Sequence, residues 1–270
     1  MTGELEVRTL TPFGAEVLHD LSAPLSDSQA AHFVRLLWDH GLILARGQHL
    51  SMERQRQLCA LAGPILLREG ETGIMSNAAG EASTVELSWH ADAAYTKAPF
   101  DALSLHALEV VDDASSTRFV SAEQGWAALP SELKQQLEDA TVEMISPAYD
   151  ALGGRTCDTR DPEALKRGEL PAVTLNPHNG RQVLWPSELQ AARILGLEWE
   201  DSRDLLNAVY DHLYRPKHVL EHRWRTGDLV IWDNIALQHM RGSLKSCGKR
   251  VLQRVIVGTE GVAPHVREAA

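Results

Sequence analysis

The chain of 270 residues is 44% hydrophobic and acidic, with a formal net charge of −11 at pH 7. Its length and hydrophobic content suffice for one substantial buried core, so we expect a single domain over residues 1–270. The acidic balance argues against nucleic acid as a partner, because phosphate binding needs a basic face. The sequence contains no run of about eighteen apolar residues, so we expect no membrane span.

The N-terminal region and the cysteines predict a cytoplasmic protein. The first residues, Met-Thr-Gly-Glu-Leu-Glu, lack the basic and apolar regions of a signal peptide. The cysteines Cys59, Cys157 and Cys247 are odd in number and far apart, which is typical of a reducing compartment rather than of a disulfide framework.

The first elements along the chain are helices separated by a short strand. Ser26 is a helix N-cap signal, and apolar residues follow it at helical spacing as far as His40. Residues 42–45 predict an apolar strand, and a second helix is expected from Ser51 to near Gly63. No glycine-rich phosphate loop follows a strand, which argues against a βαβ nucleotide fold.

The middle of the chain predicts strands and two short helices. Alternation indicates strands over residues 102–110 and 118–120. Helices are expected from Glu123 and from Ser131, the second behind a proline at its N-terminus.

The last part of the chain predicts a hairpin, a helix and further strands. Residues 173–175 and 182–185 flank a polar loop that contains an Asn-Gly pair at 179–180, and this pair suits a type I′ turn. A helix is expected over 201–213 and a strand over 229–232.

His90, Asp92 and His239 have the residue types of a metal site. Two histidines and one carboxylate can occupy one face of a non-heme Fe(II) ion and leave the other face open for O2 and an organic co-substrate. On an extended segment, residues i and i+2 point to the same side, so His90 and Asp92 can reach one metal ion. A His-x-Asp pair alone is common in surface loops, and the prediction therefore depends on the residues downstream of His239.

Two arginines lie on the predicted strand over residues 249–257. With a period of two, Arg250 and Arg254 share a face with Leu252 and Ile256. A buried guanidinium needs an anionic partner, and arginine binds carboxylates through a planar fork. Internal salt bridges would satisfy both arginines. Beside an open metal site, a dicarboxylate co-substrate is the preferred interpretation.

In this order and spacing, these motifs resemble the Fe(II)/2-oxoglutarate-dependent dioxygenases of the taurine dioxygenase (TauD/TfdA) family. The resemblance extends over about residues 42–259. It is carried by Trp89-His90-Ala91-Asp92, Thr117-Arg118-Phe119-Val120, the block from His222 to Leu229, Trp232-Asp233-Asn234 with His239, and the terminal arginines.

The resemblance implies roles for individual residues. It implies that His90, Asp92 and His239 hold the iron, and that Arg250, helped by Thr117, pairs with the distal carboxylate of 2-oxoglutarate. Arg254 matches a second arginine that approaches the anionic group of the substrate or the near end of 2-oxoglutarate. Relatives that halogenate carry a small residue in place of the carboxylate ligand, so Asp92 favours oxygenation or desaturation.

The resemblance also implies the fold and the reaction. The expected fold is mainly β with flanking helices, around a double-stranded β-helix (jelly roll, cupin-like) core. The expected enzyme uses Fe(II), 2-oxoglutarate as co-substrate and O2 to oxidise an unactivated C–H bond, by hydroxylation in the first place, with release of succinate and CO2. Desaturation or another oxidative tailoring reaction is the alternative within the family.

Two segments predict lids over the mouth of the core. Residues 69–86 are rich in Gly, Ser, Glu and Ala without clear periodicity, and residues 147–169 are mostly polar. By position beside the ligands and the jelly-roll mouth, we expect lids near 66–88 and 147–170.

The substrate is expected to be a small polar metabolite. Taurine-type members carry an asparagine four residues before the first ligand, where this chain has Glu86, so a sulfonate is disfavoured and an amine could pair there. Tyr95 is a further pocket candidate, as is the neighbouring Lys97. Arg254 could bind a carboxylate, so the predicted substrate carries a carboxylate. An amine is an optional second group on it.

Two other classes of protein remain open on the sequence alone. One is a non-oxidative zinc enzyme, such as an isomerase or hydrolase, which would not need Arg250. The other is a catalytically silent jelly-roll binding protein. The sequence also leaves open whether the chain forms a homo-oligomer. His106, His212, His218 and His222 are interpreted as core or surface residues rather than ligands.

Overall fold

A computed structural model describes residues 4–67, 73–77, 84, 86–146 and 167–259. The helices are α1 Asp27–His40, α2 Met52–Cys59, α3 Ala122–Ala128, α4 Ser131–Leu137 and α5 Trp199–Leu213, with a 3-10 turn at Pro216–His218. The strands are β1 Val7–Thr9, β2 Ala15–Val17, β3 Leu42–Ala45, β4 Ile74–Ser76, β5 Leu87–His90, β6 Ala102–Val110, β7 Ser116–Ser121, β8 Thr141–Ile145, β9 Arg167–Pro171, β10 Val173–Leu175, β11 Gln182–Leu184, β12 Ala191–Ile194, β13 Val219–Arg223, β14 Leu229–Asp233, β15 Leu237–Arg241 and β16 Arg250–Val257. Among the described helices, none combines the length and hydropathy that a membrane crossing requires.

Two sheets form the centre of the molecule. The larger has seven strands in the order β1-β2-β3-β14-β6-β16-β4, and the smaller has four in the order β13-β7-β15-β5. Neighbouring strands run antiparallel in both sheets, except that β2 and β3 are parallel. Nearly every sheet neighbour is distant in sequence, so the order is set by the tertiary fold.

The faces of the larger sheet follow from the period of two along each strand. In β3, Leu42 and Leu44 point into a core shared with the smaller sheet, whereas Ile43 and Ala45 pack toward the helices. Both faces of the sheet are therefore buried at β3, which explains why this strand is apolar throughout.

The inner core lies between the two sheets. It joins large apolar side chains of the larger sheet, such as Trp232 and Leu252, to Phe119 and Leu237 of the smaller sheet. Trp232 and Phe119 meet edge to face with ring centroids 5.4 Å apart. Two mainly antiparallel sheets facing each other across one core are the double-stranded β-helix, so the predicted jelly roll with flanking helices is confirmed.

Helices α1 and α2 cover the outer face of the larger sheet. Helix α1 begins at a capping box in which the Ser26 hydroxyl accepts from the backbone N–H of Gln29, and it ends at Gly41 in the left-handed region. Its buried face, which includes Phe33 and Leu37, packs on Ile43 and Leu229. Burial of each such side chain contributes about 2 kcal/mol.

A third layer lies behind the smaller sheet. The sheet β12-β8-β9, the hairpin β10-β11 and helices α3 to α5 share one apolar cluster. Trp89 and Ala91, which flank the first candidate ligand, belong to this cluster. The ligand-bearing strand β5 is therefore supported from behind by packed side chains.

Several local predictions were wrong in detail. Helix α2 ends at Cys59 rather than near Gly63. The hairpin is present, but in its loop only Gly180 has a positive φ, and a type I′ turn needs two such residues. The predicted loop over residues 69–86 contains strand β4, which pairs with β16 at the sheet edge.

Most of the two predicted lids lies outside the described residues. The undescribed parts are residues 68–72, 78–83 and 85 in the first segment and residues 147–166 in the second. Cys157 also falls there, while Cys59 and Cys247 are buried free thiols.

Candidate metal and co-substrate site

The fold brings His90, Asp92 and His239 together at one end of the inner core. Strands β5 and β15 are antiparallel neighbours, and His239 is directly opposite His90 in their register. The Nε2 atoms of His90 and His239 lie 3.4 and 3.9 Å from Asp92 Oδ1. Ligand atoms bound to one ion at about 2.1 Å are roughly 3 Å apart, so these donor atoms are close to the separation that a shared metal ion requires.

Backbone contacts orient the His90 ring. Its Nδ1 lies 2.7 Å from the carbonyl oxygen of Ser88, so Nδ1 carries the proton and donates to that oxygen. This tautomer leaves the lone pair on Nε2, the atom that faces Asp92. A histidine that ligates a metal is commonly held in this way by a bond from its other ring nitrogen.

Asp92 lies in a turn beyond the end of β5, not on the extended strand that the spacing argument assumed. The next residue, Ala93, has φ +59°, a left-handed conformation that is unfavourable for a residue with a Cβ atom. The buried side chain of Asn234 holds this turn. Its Oδ1 accepts from the Asp92 N–H at 2.9 Å, and its Nδ2 donates to the carbonyls of Asp92 at 2.9 Å and Phe100 at 3.1 Å.

The protonation states suit a divalent cation. Burial, together with the neighbouring His90, lowers the pKa of His239 from 6.5 to about 3, so its imidazole is neutral at pH 7. Burial alone would raise the pKa of Asp92, but the surrounding side chains of His90, His239 and Arg254 outweigh burial and lower that pKa, so the carboxylate is ionised at pH 7. The site thus offers two imidazole nitrogens and one carboxylate.

This donor set fits Fe(II). Two neutral nitrogens and one anionic oxygen on one side of an ion are the ligands that non-heme iron takes, with the opposite side left open. Within the described part of the chain, these three residues form the one group of histidine, cysteine or acidic side chains whose donor atoms converge closely enough for a metal. His106 lies elsewhere, since its Nε2 contacts the backbone oxygen of Gln48.

The second predicted part of the site is a buried positive charge at Arg250 on β16. The Arg250 side chain is 4% exposed, and its Nε has no hydrogen-bond partner among the described residues. Burial and the nearby Arg241 lower the pKa of Arg250 to about 10, which still leaves the guanidinium charged at pH 7. Because an unpaired buried charge is costly, this position is suited to an anionic ligand.

Thr117 and Arg250 meet at the indole of Trp224. The Trp224 Nε1–H donates to Thr117 Oγ1 at 3.0 Å, and the Arg250 guanidinium lies 5.8 Å from the centroid of the same ring. Thr117 is on the smaller sheet and Arg250 on the larger one. The predicted pair is therefore brought together by the closure of the two sheets.

The other predicted site residues are less enclosed. Arg254 is partly buried, and its charge contributes to the lowered pKa of Asp92, so it acts on the metal end. Tyr95 is partly buried and packs against the apolar cluster of the third layer. Glu86 is exposed just before β5, and Lys97 is exposed as well.

Two residues that support the site were not singled out from the sequence. Asn234 holds the Asp92 turn, and Trp224 joins Thr117 to Arg250. Both belong to the motifs that carry the family resemblance, so motif membership was the available signal. Their partners lie 142 and 107 residues away along the chain, and no local pattern could have identified them.

Comparison with known proteins gives a consistent picture. The family model described as "Taurine catabolism dioxygenase TauD, TfdA family" matches residues 6–256. An alkylsulfatase of Acinetobacter baylyi is 27% identical over 96% of this chain and 86% of its own length. The alpha-ketoglutarate-dependent 2,4-dichlorophenoxyacetate dioxygenase of Cupriavidus pinatubonensis is 24% identical over 87% of this chain and 90% of its own.

A solved structure supports the fold. The crystal structure of a taurine dioxygenase from Burkholderia xenovorans superposes with a TM-score of 0.79. It is 22% identical, and the match covers 97% of this chain and 94% of that one.

Proposed function

Since the chain belongs to the TauD/TfdA family and is therefore an Fe(II)- and 2-oxoglutarate-dependent dioxygenase, we propose that it hydroxylates an unactivated C–H bond of a small molecule bearing a carboxylate. Succinate and CO2 are the co-products of this reaction. The family confirms the predicted enzyme class and the predicted use of Fe(II), 2-oxoglutarate and O2.

The convergence of His90, Asp92 and His239 is the observation that carries this proposal. In the proposed site, the metal is held by His90 Nε2, an Asp92 carboxylate oxygen and His239 Nε2. When bound there, Fe(II) supplies the activation of O2 that couples decarboxylation of 2-oxoglutarate to oxidation of the substrate. The protein contributes position and the exclusion of water.

We assign the distal carboxylate of 2-oxoglutarate to Arg250 and Thr117. The buried Arg250 guanidinium supplies the positive charge, and the Thr117 hydroxyl supplies one further donor. Because both lie in the inner core away from bulk water, the charge pairing there is stronger than at the surface. The co-substrate would span from this end toward the three metal-binding side chains.

Arg254 is assigned to the carboxylate of the substrate. Its charge reaches Asp92, so an anion bound to it would lie beside the metal end. The names of two relatives give substrates with an anionic group, a phenoxyacetate in one and alkyl sulfates in the other. An amine at the exposed Glu86 would form a solvent-screened pair, so we treat it as a secondary determinant.

Anaerobic titration tests the cofactor assignment. Fe(II) and 2-oxoglutarate are added to wild type, His239→Ala and Arg250→Ala, and the visible charge-transfer absorption is recorded. We expect a band in wild type, no band in His239→Ala, and a much higher 2-oxoglutarate requirement in Arg250→Ala. A wild type without a band would overturn the proposed site.

A second measurement tests the substrate class. Succinate release is measured with panels of carboxylates, sulfate esters and neutral analogues that share one carbon skeleton, with and without an amine. Stimulation by carboxylates that is lost in Arg254→Ala is the expected outcome. Stimulation by neutral compounds alone would reject the carboxylate proposal and leave the metal and co-substrate assignments standing.

A further inference from the structure

Thr117 and Arg250, which we assigned to the distal carboxylate, form what we call the anion end of the site, and Trp224 is more deeply buried than either of them. It follows β13, is 0% exposed, and its backbone N–H and C=O are bonded to Ser115 and Asp113. Its ring is perpendicular to that of His222, with centroids 4.5 Å apart, and His222 Nε2 lies 3.2 Å from the buried Asp228 carboxylate. The indole is therefore held in one orientation from several sides.

The bond from Trp224 determines how the Thr117 hydroxyl can act. An indole N–H is a donor only, so Thr117 Oγ1 must accept in this pair. A hydroxyl has one hydrogen to donate, and among the described residues the one side-chain hydrogen bond of Thr117 is the bond that it accepts from Trp224. The bond thus leaves the Thr117 proton available to an acceptor such as a carboxylate oxygen.

The same ring also places the neighbouring cation. The Arg250 guanidinium lies 5.8 Å from the ring centroid, within the range of an attractive cation–π contact. One indole therefore contacts two polar side chains from opposite sheets. Loss of this ring would change both the direction of a hydroxyl proton and the position of a charge.

We propose that Trp224 is a positioning residue for the co-substrate: its N–H occupies one lone pair of Thr117 Oγ1 and so orients the hydroxyl proton toward a carboxylate, and its ring aligns Arg250 for the same carboxylate. This inference rests on the proposed assignment of Thr117 and Arg250 to 2-oxoglutarate. Trp224 itself contacts the two side chains, and its contribution is exerted through them.

A double-mutant cycle tests the proposal on the Fe(II)-loaded protein under anaerobic conditions. The dissociation constant of 2-oxoglutarate is measured for wild type, Trp224→Phe, Thr117→Val and the double variant. Phe keeps an aromatic ring and lacks the N–H, and Val keeps the shape of Thr and lacks the hydroxyl.

We expect Trp224→Phe to weaken 2-oxoglutarate binding about tenfold when Thr117 is present, because the hydrogen bond from the oriented hydroxyl to the charged carboxylate is lost. In the Thr117→Val background the same change should weaken binding less than about twofold, because the hydroxyl that it orients is already gone.

Trp126 provides a matched control. It is also a buried tryptophan whose Nε1–H donates to a side-chain oxygen, that of Gln182 at 3.0 Å, and it also has a cation over its ring, Lys134 at 5.5 Å. It belongs to the apolar cluster of the third layer. Trp126→Phe should therefore leave 2-oxoglutarate binding unchanged.

The outcomes separate this inference from the proposed function. The inference is overturned if Trp224→Phe weakens 2-oxoglutarate binding equally in both Thr117 backgrounds, or does not weaken it at all. In either case the proposed function stands as long as the wild type binds 2-oxoglutarate. A wild type that binds no 2-oxoglutarate would reject the proposed function itself. If Trp224→Phe does not fold, Trp224→His, which retains a ring N–H, is compared with Trp224→Leu, and equal affinities of these two would overturn the inference.

Discussion

The two ends of the site differ in how the protein satisfies their polar groups. At the metal end, the supporting atoms are paired: Ser88 accepts from His90, and Asn234 makes three hydrogen bonds around the Asp92 turn. At the anion end, a buried arginine has an Nε without a partner among the described residues. At the metal end the His90 ring and the Asp92 turn are held by the fold, and only His239 Nδ1 lacks a hydrogen-bond partner among the described residues. At the anion end the group without such a partner belongs to a buried cation, whose charge a ligand can neutralise.

This difference has an energetic consequence. Removing a histidine ligand should abolish metal binding and activity without unfolding the protein. The imidazole is neutral, so its removal changes no charge balance inside the apoprotein. Removing the buried cation should cost co-substrate binding and relieve the apoprotein of a desolvated charge. Four predictions test the contrast, in decreasing order of expected effect.

His239→Ala should have the largest effect. Loss of one of three donors should lower Co(II) affinity by more than the roughly 10- to 100-fold that loss of a supporting partner costs, and should abolish succinate formation. Titration with Co(II), followed by its visible absorption, measures the affinity. His106→Gln is the control, since His106 is buried on β6 and contacts Gln48 instead. Unchanged Co(II) affinity in His239→Ala would remove this residue from the metal site.

Arg250→Met should affect binding and stability in opposite directions. We expect 2-oxoglutarate affinity to fall roughly 100-fold, because charged hydrogen bonds are lost. We also expect the free energy of unfolding of the apoprotein to rise by about 1 kcal/mol, because an unpaired buried charge is replaced by an apolar chain.

Calorimetry of 2-oxoglutarate binding and urea unfolding check both parts of that prediction. Arg223→Met is the control, since Arg223 is exposed and paired with Glu221. A loss of several kcal/mol of apoprotein stability in Arg250→Met would mean that Arg250 is paired within the protein, and the contrast between the two ends would fail.

Asn234→Ala should weaken metal binding by about 10- to 100-fold, because the left-handed turn at Ala93 loses its support and Asp92 is no longer held in place. Co(II) titration gives the affinity, and urea unfolding gives the stability. Gln55→Ala is the matched control, since Gln55 is a fully buried amide bonded to Ser104 and Gln253. If Gln55→Ala lowered metal affinity as much as Asn234→Ala does, the loss would be a general effect of destabilisation, and the specific role of Asn234 would be rejected.

The pH dependence of apoprotein stability should show the smallest effect over any single pH unit. In the folded state the pKa of His239 is about 3, below its ordinary value of 6.5, so the unfolded chain binds a proton that the folded chain excludes. Stability should therefore fall as pH decreases below 6.5 toward 3, by up to about 1 kcal/mol per pH unit. Urea unfolding at several pH values should show a shallower slope in His239→Gln than in wild type.

Local patterns predicted many of the elements well. Alternation indicated β6, Val and Ile content indicated β16, and the Ser26 cap with apolar residues at helical spacing as far as His40 marked both ends of α1. These features arise from interactions within a few residues, which a sequence displays directly. Strand β4 was missed because three residues have no detectable period, and it exists as a strand through pairing with β16.

The sequence by itself determined the residue types of the predicted site, since His-x-Asp, a distant histidine and two arginines on a strand have the chemistry that favours a metal and a dicarboxylate. Only the tertiary structure decided that His239 is opposite His90 in register, that Asp92 sits in a turn held by Asn234, and that Trp224 joins Thr117 to Arg250. The physical reason is that these contacts link strands far apart in the chain. Their geometry follows from the closure of two sheets around one core, which no local interaction encodes.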